Sequence, residues 1–466
     1  MPSLFKRVAP VVLLVTSLLS FSVAQQATPD FSRAQTEAVK FLSQLVKIDT
    51  SNPPGNETRA AEYIKSVLEA EGIPAQIYES APGRGNVVAR LKGSGKKKPL
   101  LLMGHLDVVG VERNKWTVDP FAALIKDGYL YGRGSTDDKA MDAANLEVFL
   151  LLHRLKVPLD RDVILLAEAG EEGTPQFGID FMIEKHWEEI ACEFALNEGG
   201  DTPEENGKVR YVGVSTTEKV PRGLIVTARG TSGHGSVPRM DNAIIHLSAA
   251  VAKIGMWEAP MRLNETTRRF FQQLAKISPP DKARLYAHVE DPAVQQKLRE
   301  TEPAYYSMVR TSLVPTIIKG GFRINVIPAD AEAQIDVRAL PDENMEALKA
   351  ELARLINDPA VQITSAPNNL RPATPPSGLE TDAFHALERA QQKVFPGALT
   401  IPIMQAGATD SSELRAKGVQ AYGIEPILTS EDIKRIHGND ERVQIAGFGK
   451  FVEFLYTATL EIAAEK

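Results

Sequence analysis

The chain is poor in cysteine: Cys192 stands alone among 466 residues. One thiol cannot make an intrachain disulfide, so cysteine usage says nothing about an oxidising compartment. An excess of positive charge is also missing. Lysine and arginine number 53 against 60 acidic residues, leaving a net charge of −7 and a pI near 5.8, which argues against nucleic acid as a partner. Aromatic residues make up only 6% of the chain, and no internal repeat or low-complexity tract is present. Beyond the first two dozen residues no apolar run is long enough to span a bilayer.

Those first residues form the one long apolar stretch. Lys6 and Arg7 precede Val8 to Ala24, which ends in Ser-Val-Ala before Gln25. This is the pattern of a signal peptide cleaved after Ala24, giving a secreted or periplasmic protein with no stable membrane insertion once the leader is removed. An uncleaved anchor is the second reading, set back by Pro10, Thr16 and the serines that interrupt the run.

With 43% hydrophobic residues over this length, the chain buries more than one core. Helical spacing over Phe31 to Val46 and from Thr58 to Glu71 precedes β-like runs at about 75–79 and 86–92. An apolar strand from Leu100 to Met103 follows, then a helix at about 139–156, a strand at 163–169, a helix at about 177–188 and a short strand into Leu196-Asn197-Glu198. Strands alternating with helices predict an α/β sheet covered on both faces. From about Thr217 the order changes to β-α-β-β-α-β, with helix-prone polar sequence filling 257–304. That order predicts an inserted ferredoxin-like domain. The Pro-rich run Pro367 to Pro376 leads back to a helix at 379–394, a strand near 419–424 and a last helix at 444–463. The expected organisation is a leader (1–24), a catalytic domain in two parts (25–216 and 371–466), and the insertion (217–370) between them.

Chemistry-bearing residues recur at the loop ends of the α/β part: His105, Asp137, Glu171-Glu172, Glu198 and His437. Open α/β sheets place their ligand sites at the carboxyl ends of strands. A mixed nitrogen and oxygen donor set suits zinc, with cobalt or manganese as substitutes. Two metals roughly 3.5 Å apart need a bridging carboxylate and together activate water near neutral pH. Neighbouring side chains at a strand end diverge, so one member of Glu171-Glu172 can ligate while the other carries protons. Asp107, two residues from His105, can hold the imidazole's other N–H. Each acidic pair taken singly reads as surface solvation; the ordered set reads as a metal site.

Gly-His105-Leu-Asp107-Val-Val, Asp137-Asp-Lys, Glu171-Glu172, Asn-Glu198-Gly-Gly and Ile-His437-Gly-Asn-Asp together resemble the dizinc exopeptidase and aminoacylase family. That family includes glutamate carboxypeptidase, Gly-X carboxypeptidase, aminoacylase and succinyl-diaminopimelate desuccinylase. The resemblance covers nearly the whole mature chain. It implies two zinc ions, with His105 and Glu198 on one, Glu172 and His437 on the other, and Asp137 bridging through a residue whose following peptide is cis. It implies Glu171 as general base and Asp107 as the residue orienting His105. In the insertion, His234 of Thr-Ser-Gly-His-Gly-Ser resembles a lid histidine that stabilises the oxyanion, reaching a partner subunit's site in dimeric members. Asn325 and Arg338 resemble lid residues that bind substrate, and Gly407 of Gly-Ala-Thr-Asp resembles an active-site glycine loop. Here the loop's second glycine is replaced by Ala408, which bears on how closely a substrate backbone approaches.

The implied function is hydrolysis of an amide next to a free carboxylate. A carboxypeptidase or dipeptidase is the first reading, since Thr311 to Pro341 most resembles the Gly-X carboxypeptidase branch; an N-acyl-amino-acid hydrolase is the alternative. The partners are a peptide or N-acyl amino acid substrate and a second copy of the chain, joined through the lid. A lidless dizinc aminopeptidase would lack the insertion and His234, and an inactive binding protein would be expected to have lost Glu171 or a ligand. His153, His186, His246, His288 and His385 match no motif and are expected on surfaces or in packing, as is Trp116.

Overall fold

The computed structural model describes residues 29–367 and 371–465; the expected leader lies outside them. Twelve strands and seven helices position the site. In the first part of the chain these are α1 (Phe31–Val46), α2 (Glu57–Ala70), β1 (Ala75–Glu79), β2 (Gly85–Leu91), β3 (Leu100–His105), α3 (Lys139–Arg154), β4 (Val163–Glu168), β5 (Phe194–Asn197) and β6 (Tyr211–Glu218). The insertion contributes β7 (Val220–Arg229), α4 (Ala243–Met256), β8 (Ser312–Gly320), β9 (Asp330–Ala339), α5 (Met345–Ile356) and β10 (Val361–Ser365). The chain ends with α6 (Asp382–Val394), β11 (Leu399–Gln405), β12 (Gln420–Gly423) and α7 (Ile445–Ala463).

The main sheet has eight strands in the order β11-β6-β12-β5-β3-β4-β2-β1. Its centre is parallel: β3 pairs with β4 and with β5, and β5 with β12. A parallel strand is covered on both faces, which explains why β3 is an unbroken apolar run. Leu100 and Leu102 enter the core shared with α1, α3 and α7, while Leu101 and Met103 enter a second core on the opposite face with Ile179, Met182 and Leu414. On α1, Ala34, Ala38, Phe41, Leu42 and Leu45 form the buried stripe, and Asp30 caps the helix through the amides of Ser32 and Arg33.

The insertion forms a separate antiparallel sheet, β8-β9-β7-β10. Along β9 buried and partly exposed residues alternate, the pattern of a sheet with one covered face. Ala333, Ile335 and Val337 meet Leu247, Ile254 and Leu352 of the two lid helices in its core. The edge strand β8 leaves Val314, Ile317 and Ile318 exposed, beside exposed Ile244 and Ile245 on α4. The helix-prone stretch becomes four helices within 265–308. They pack on the main sheet, where Phe270, Phe271 and Leu274 join Tyr211, Ile401 and Ile403.

Two main-sheet strands escape the sequence pattern: β6 and β11, parallel neighbours at one end of the sheet. The chain therefore leaves the main sheet at Glu218 and enters the lid sheet at Val220. The helix expected at about 177–188 is two shorter pieces, Ile179–Lys185 and Trp187–Ile190, interrupted at His186. The His186 ring stacks near Tyr78, with centroids 4.2 Å apart. No described helix is long and apolar enough to cross a membrane.

Candidate metal centre and active site

The carboxyl ends of the parallel strands converge on one cleft. His105 is the last residue of β3, Glu171 and Glu172 follow β4, Glu198 follows β5, and the Gly407 loop follows β11. The turn after β4 is tight. Gly170 has φ +79°, and a Cβ there would stand 2.4 Å from the Thr174 carbonyl oxygen, so glycine is required where the chain delivers Glu171.

His105 is buried, and its Nδ1 lies 3.0 Å from the backbone carbonyl of Asp107. A carbonyl only accepts, so Nδ1 carries a proton and Nε2 is the ring nitrogen turned toward the other donors. Nε2 points at Asp137 Oδ1, 3.0 Å away, with Glu198 Oε2 at 3.9 Å. On the other side, His437 Nε2 lies 2.8 Å from Glu172 Oε1 and 3.0 Å from Asp137 Oδ2. Thus His105, Asp137 and Glu198 form one trio of donor atoms and His437, Asp137 and Glu172 another, each within 4.8 Å, with Asp137 common to both. Two imidazoles and three carboxylates in this arrangement fit a pair of divalent ions, each oxygen of Asp137 facing one histidine.

The supports are buried and mostly distant in sequence. Asp107, fully buried, accepts from the amides of Glu171 (3.1 Å) and Glu172 (3.2 Å) and from Asn52 Nδ2 (2.8 Å). Asp107 therefore fixes the Glu171-Glu172 turn as well as lying beside His105. Glu441 accepts from the amides of Thr136 (2.9 Å) and Asp137 (3.2 Å) and pairs with Arg133, whose guanidinium lies 5.3 Å from the Trp116 ring centroid. The Asp137–Asp138 peptide is cis, the geometry the family resemblance implies.

The electrostatics follow from four acidic side chains sharing one cleft with two histidines. Burial opposes charge on His105, but Asp107 and Asp137 outweigh it and hold the ring well above the usual histidine range. Asp137 and Glu172 raise His437 to about 10. Burial pushes Glu171 well above the usual carboxyl range, Arg371 opposes this, and Asp410 and Glu172 add to it. Histidines held charged by carboxylates mark a place where positive charge is favoured, and a divalent ion bound there would replace the protons.

A cavity of about 440 Å³ is lined by Asp137, Glu171, Glu172, Glu198 and His437, together with Arg338, Gly407 and Ala408. Arg338 reaches it from the lid strand β9, its Nε 3.1 Å from Asp336. A Cβ on Gly407 would meet no atom within 4 Å, so the loop itself has room, and the Ala408 methyl stands where the resemblance implies a second glycine. His234 and Asn325 are not among the lining residues. Both are exposed on paired lid loops, where the Gly235 amide donates to the Asn325 carbonyl at 2.9 Å and His234 Nδ1 lies 2.7 Å from Ser236 Oγ. Sequence reasoning missed Asn52, Glu441, Glu425, Gln405 and Arg371; of these, Glu425 and Gln405 line the cavity and the others act on site residues.

The fold and the site define a metallo-hydrolase of the two-domain α/β type. The chain belongs to peptidase family M20/M25/M40, which it matches over residues 101–461. It is 29% identical to the human N-fatty-acyl-amino acid synthase/hydrolase PM20D1, over 91% of this chain and 86% of that protein. It is 31% identical to the probable carboxypeptidase S-like 2 of Dictyostelium discoideum, over 77% and 70%. Among solved structures, the M20 family metallo-carboxypeptidase Sso-CP2 from Sulfolobus solfataricus superposes with a TM-score of 0.68 at 19% identity, covering 91% of this chain and 99% of that one.

Proposed function

We propose that this protein is an exported two-zinc amidohydrolase that cleaves an amide bond next to a free carboxylate. The observation that carries the reading is Arg338, which lines the same cavity as Glu171 and four of the donor residues. Its planar fork matches a carboxylate bidentately, so a substrate ending in a free α-carboxylate is oriented with its last amide toward the donors. His105 and Glu198 would hold one ion and Glu172 and His437 the other, with Asp137 common to the two donor sets. When bound, the ions polarise the carbonyl and make water nucleophilic near neutral pH; cobalt or manganese can substitute. Glu171 takes the proton of the attacking water and returns it to the leaving amine. His234 supplies a donor to the developing oxyanion, delivered by a partner's lid in a homodimer. Export rests on the basic-then-apolar leader before Gln25.

Two substrate classes satisfy this chemistry. A carboxypeptidase or dipeptidase is the first reading, and likeness to an N-fatty-acyl-amino acid hydrolase keeps N-acyl amino acids as the second. Purified protein assayed on dipeptides, carboxy-terminally blocked dipeptides and N-acyl amino acids separates them. Blocked substrates are expected to lose most turnover in either case. Equal cleavage of free and blocked forms sinks the carboxylate reading.

Active protein is expected to carry about two divalent ions per chain, and elemental analysis returning one or none in an active preparation defeats that. Because His105 and His437 are raised by the surrounding carboxylates, the metal-free chain holds protons there. Zinc uptake should release protons and tighten as pH rises. Calorimetry in buffers of different ionisation enthalpy reads this directly, and no net proton release would contradict it.

A further inference from the structure

Arg371 is the largest feature at the site that the motifs do not contain. It lies just beyond the lid's last strand, in the segment returning to the main domain. Its Nη2 donates to Glu171 Oε1 at 2.6 Å and to the Glu171 backbone carbonyl at 3.1 Å. Its Nη1 donates to Asp410 Oδ1 at 2.5 Å and Glu413 Oε2 at 3.1 Å. The Arg371 side chain is 12% exposed, and Asp410 and Glu413 are buried. Arg371 is not among the residues lining the cavity, so it meets Glu171 from behind rather than meeting substrate.

The loop it anchors is the one carrying Gly407. The other crossing between the domains grips the same loop: Glu218, the last residue of β6, accepts from the Thr409 amide (3.1 Å) and hydroxyl (3.0 Å), and pairs with Arg415 at 3.3 Å. Both chain passages between lid and main domain are therefore bonded to adjacent residues of one substrate-facing loop, and one of them also holds Glu171.

We propose that Arg371 is a positioning residue: it fixes the Glu171 carboxylate in register with the Gly407–Asp410 loop, so that the proton carrier and the substrate's backing surface are set by one planar group. The inference rests on the assignment of Glu171 as general base. A guanidinium suits the task because its rigid fork spans two carboxylates at once, which a lysine ammonium on a flexible stem does not do with fixed geometry. The competing role is plain neutralisation of a buried acidic cluster, which any cation at this place would serve.

Arg371→Lys in the full-length, metal-loaded enzyme separates the two, since it keeps the charge and removes the fork. Positioning predicts a fall in kcat on the order of 10- to 100-fold, because misplacement by about 1 Å costs that much. KM should change less than about threefold, and metal content and melting temperature should stay near the parent's. A crystal structure of the variant should show the Glu171 carboxylate turned or split between orientations, a readout independent of any substrate. Asp410→Ala, which removes the acceptor that anchors Nη1 while leaving Arg371 in place, should repeat the loss confined to kcat and serves if the arginine variants fold poorly. A kcat within twofold of the parent in folded, metal-loaded variants, or an unmoved Glu171, overturns the proposal. If Glu171→Gln itself keeps turnover, the base assignment has failed. If Glu171→Gln is inactive while Arg371→Lys is not, only the positioning role has failed.

Discussion

Replacing Glu171 by glutamine is expected to reduce turnover on the order of 10²- to 10⁴-fold while leaving both metals in place. The neighbouring change, Glu172→Gln, is expected to act the other way round, lowering metal occupancy first. The contrast follows from where the two carboxylates point. Glu172 Oε1 lies 2.8 Å from His437 Nε2, within the trio built on Asp137. Glu171 also lies within 4.8 Å of His105 and Glu172, but its carboxylate is bound by Arg371 and it is 9% exposed at the cavity wall. A carboxylate that accepts from a guanidinium on one oxygen still has lone pairs facing the cavity, which is what a proton carrier needs. Glutamine keeps the shape and accepts a hydrogen bond but cannot take a proton. The measurement is kcat beside elemental analysis for each variant. A metal-free Glu171→Gln and a metal-replete, inactive Glu172→Gln would mean the two roles are exchanged.

Why these two residues were legible in the sequence, and Arg371 was not, has a physical basis. Metal donors must arrive at strand ends through short, conformationally special turns, and such turns leave local marks: Gly170 before Glu171-Glu172, glycines after Glu198, Asp107 two residues from His105. The strand pattern around them is equally local, since β3 and β4 are buried on both faces and must be apolar. Arg371 gains its meaning from partners that the fold supplies, Glu171 in one half of the main domain and Asp410 in the other. In sequence it is one arginine in a proline-rich run. The missed strands fail for similar reasons. β11 contains Pro402, which argues against a strand unless the strand lies at an edge, and β11 is the edge of the sheet. β6 ends in Ser-Thr-Thr-Glu, which reads as surface, yet all of it is buried. Its polar groups find partners far along the chain: Thr216 with Thr266 at 2.7 Å, and Glu218 with Thr409 and Arg415. Buried polarity satisfied at long range is the class of feature that periodicity cannot register.

Mixing two inactive variants, His234→Ala and Glu171→Gln, is expected to restore activity if the lid serves a partner's site. Random exchange makes about half of the dimers hybrids, and each hybrid has one site with both groups intact, so recovery approaches about a quarter of the parent rate. Two observations favour this arrangement. His234 and Asn325 are exposed on the lid loops and are not among the residues lining their own chain's cavity, although Arg338 of the same lid is. The lid also leaves a strip of apolar surface uncovered along its edge, Val314, Ile317 and Ile318 of β8 beside Ile244 and Ile245 of α4. An exposed edge strand with unpaired backbone groups and apolar neighbours is a template for pairing with its own copy about a two-fold axis. The helices of 265–308 pack on Tyr211, Ile401 and Ile403 of the main sheet. Closure within one chain is the competing arrangement, with movement of the lid relative to the main domain bringing His234 to its own Glu171. That arrangement predicts no recovery on mixing and an active monomer by light scattering at assay concentration. No recovery despite demonstrated subunit exchange, or an active monomer, would assign His234 to its own chain.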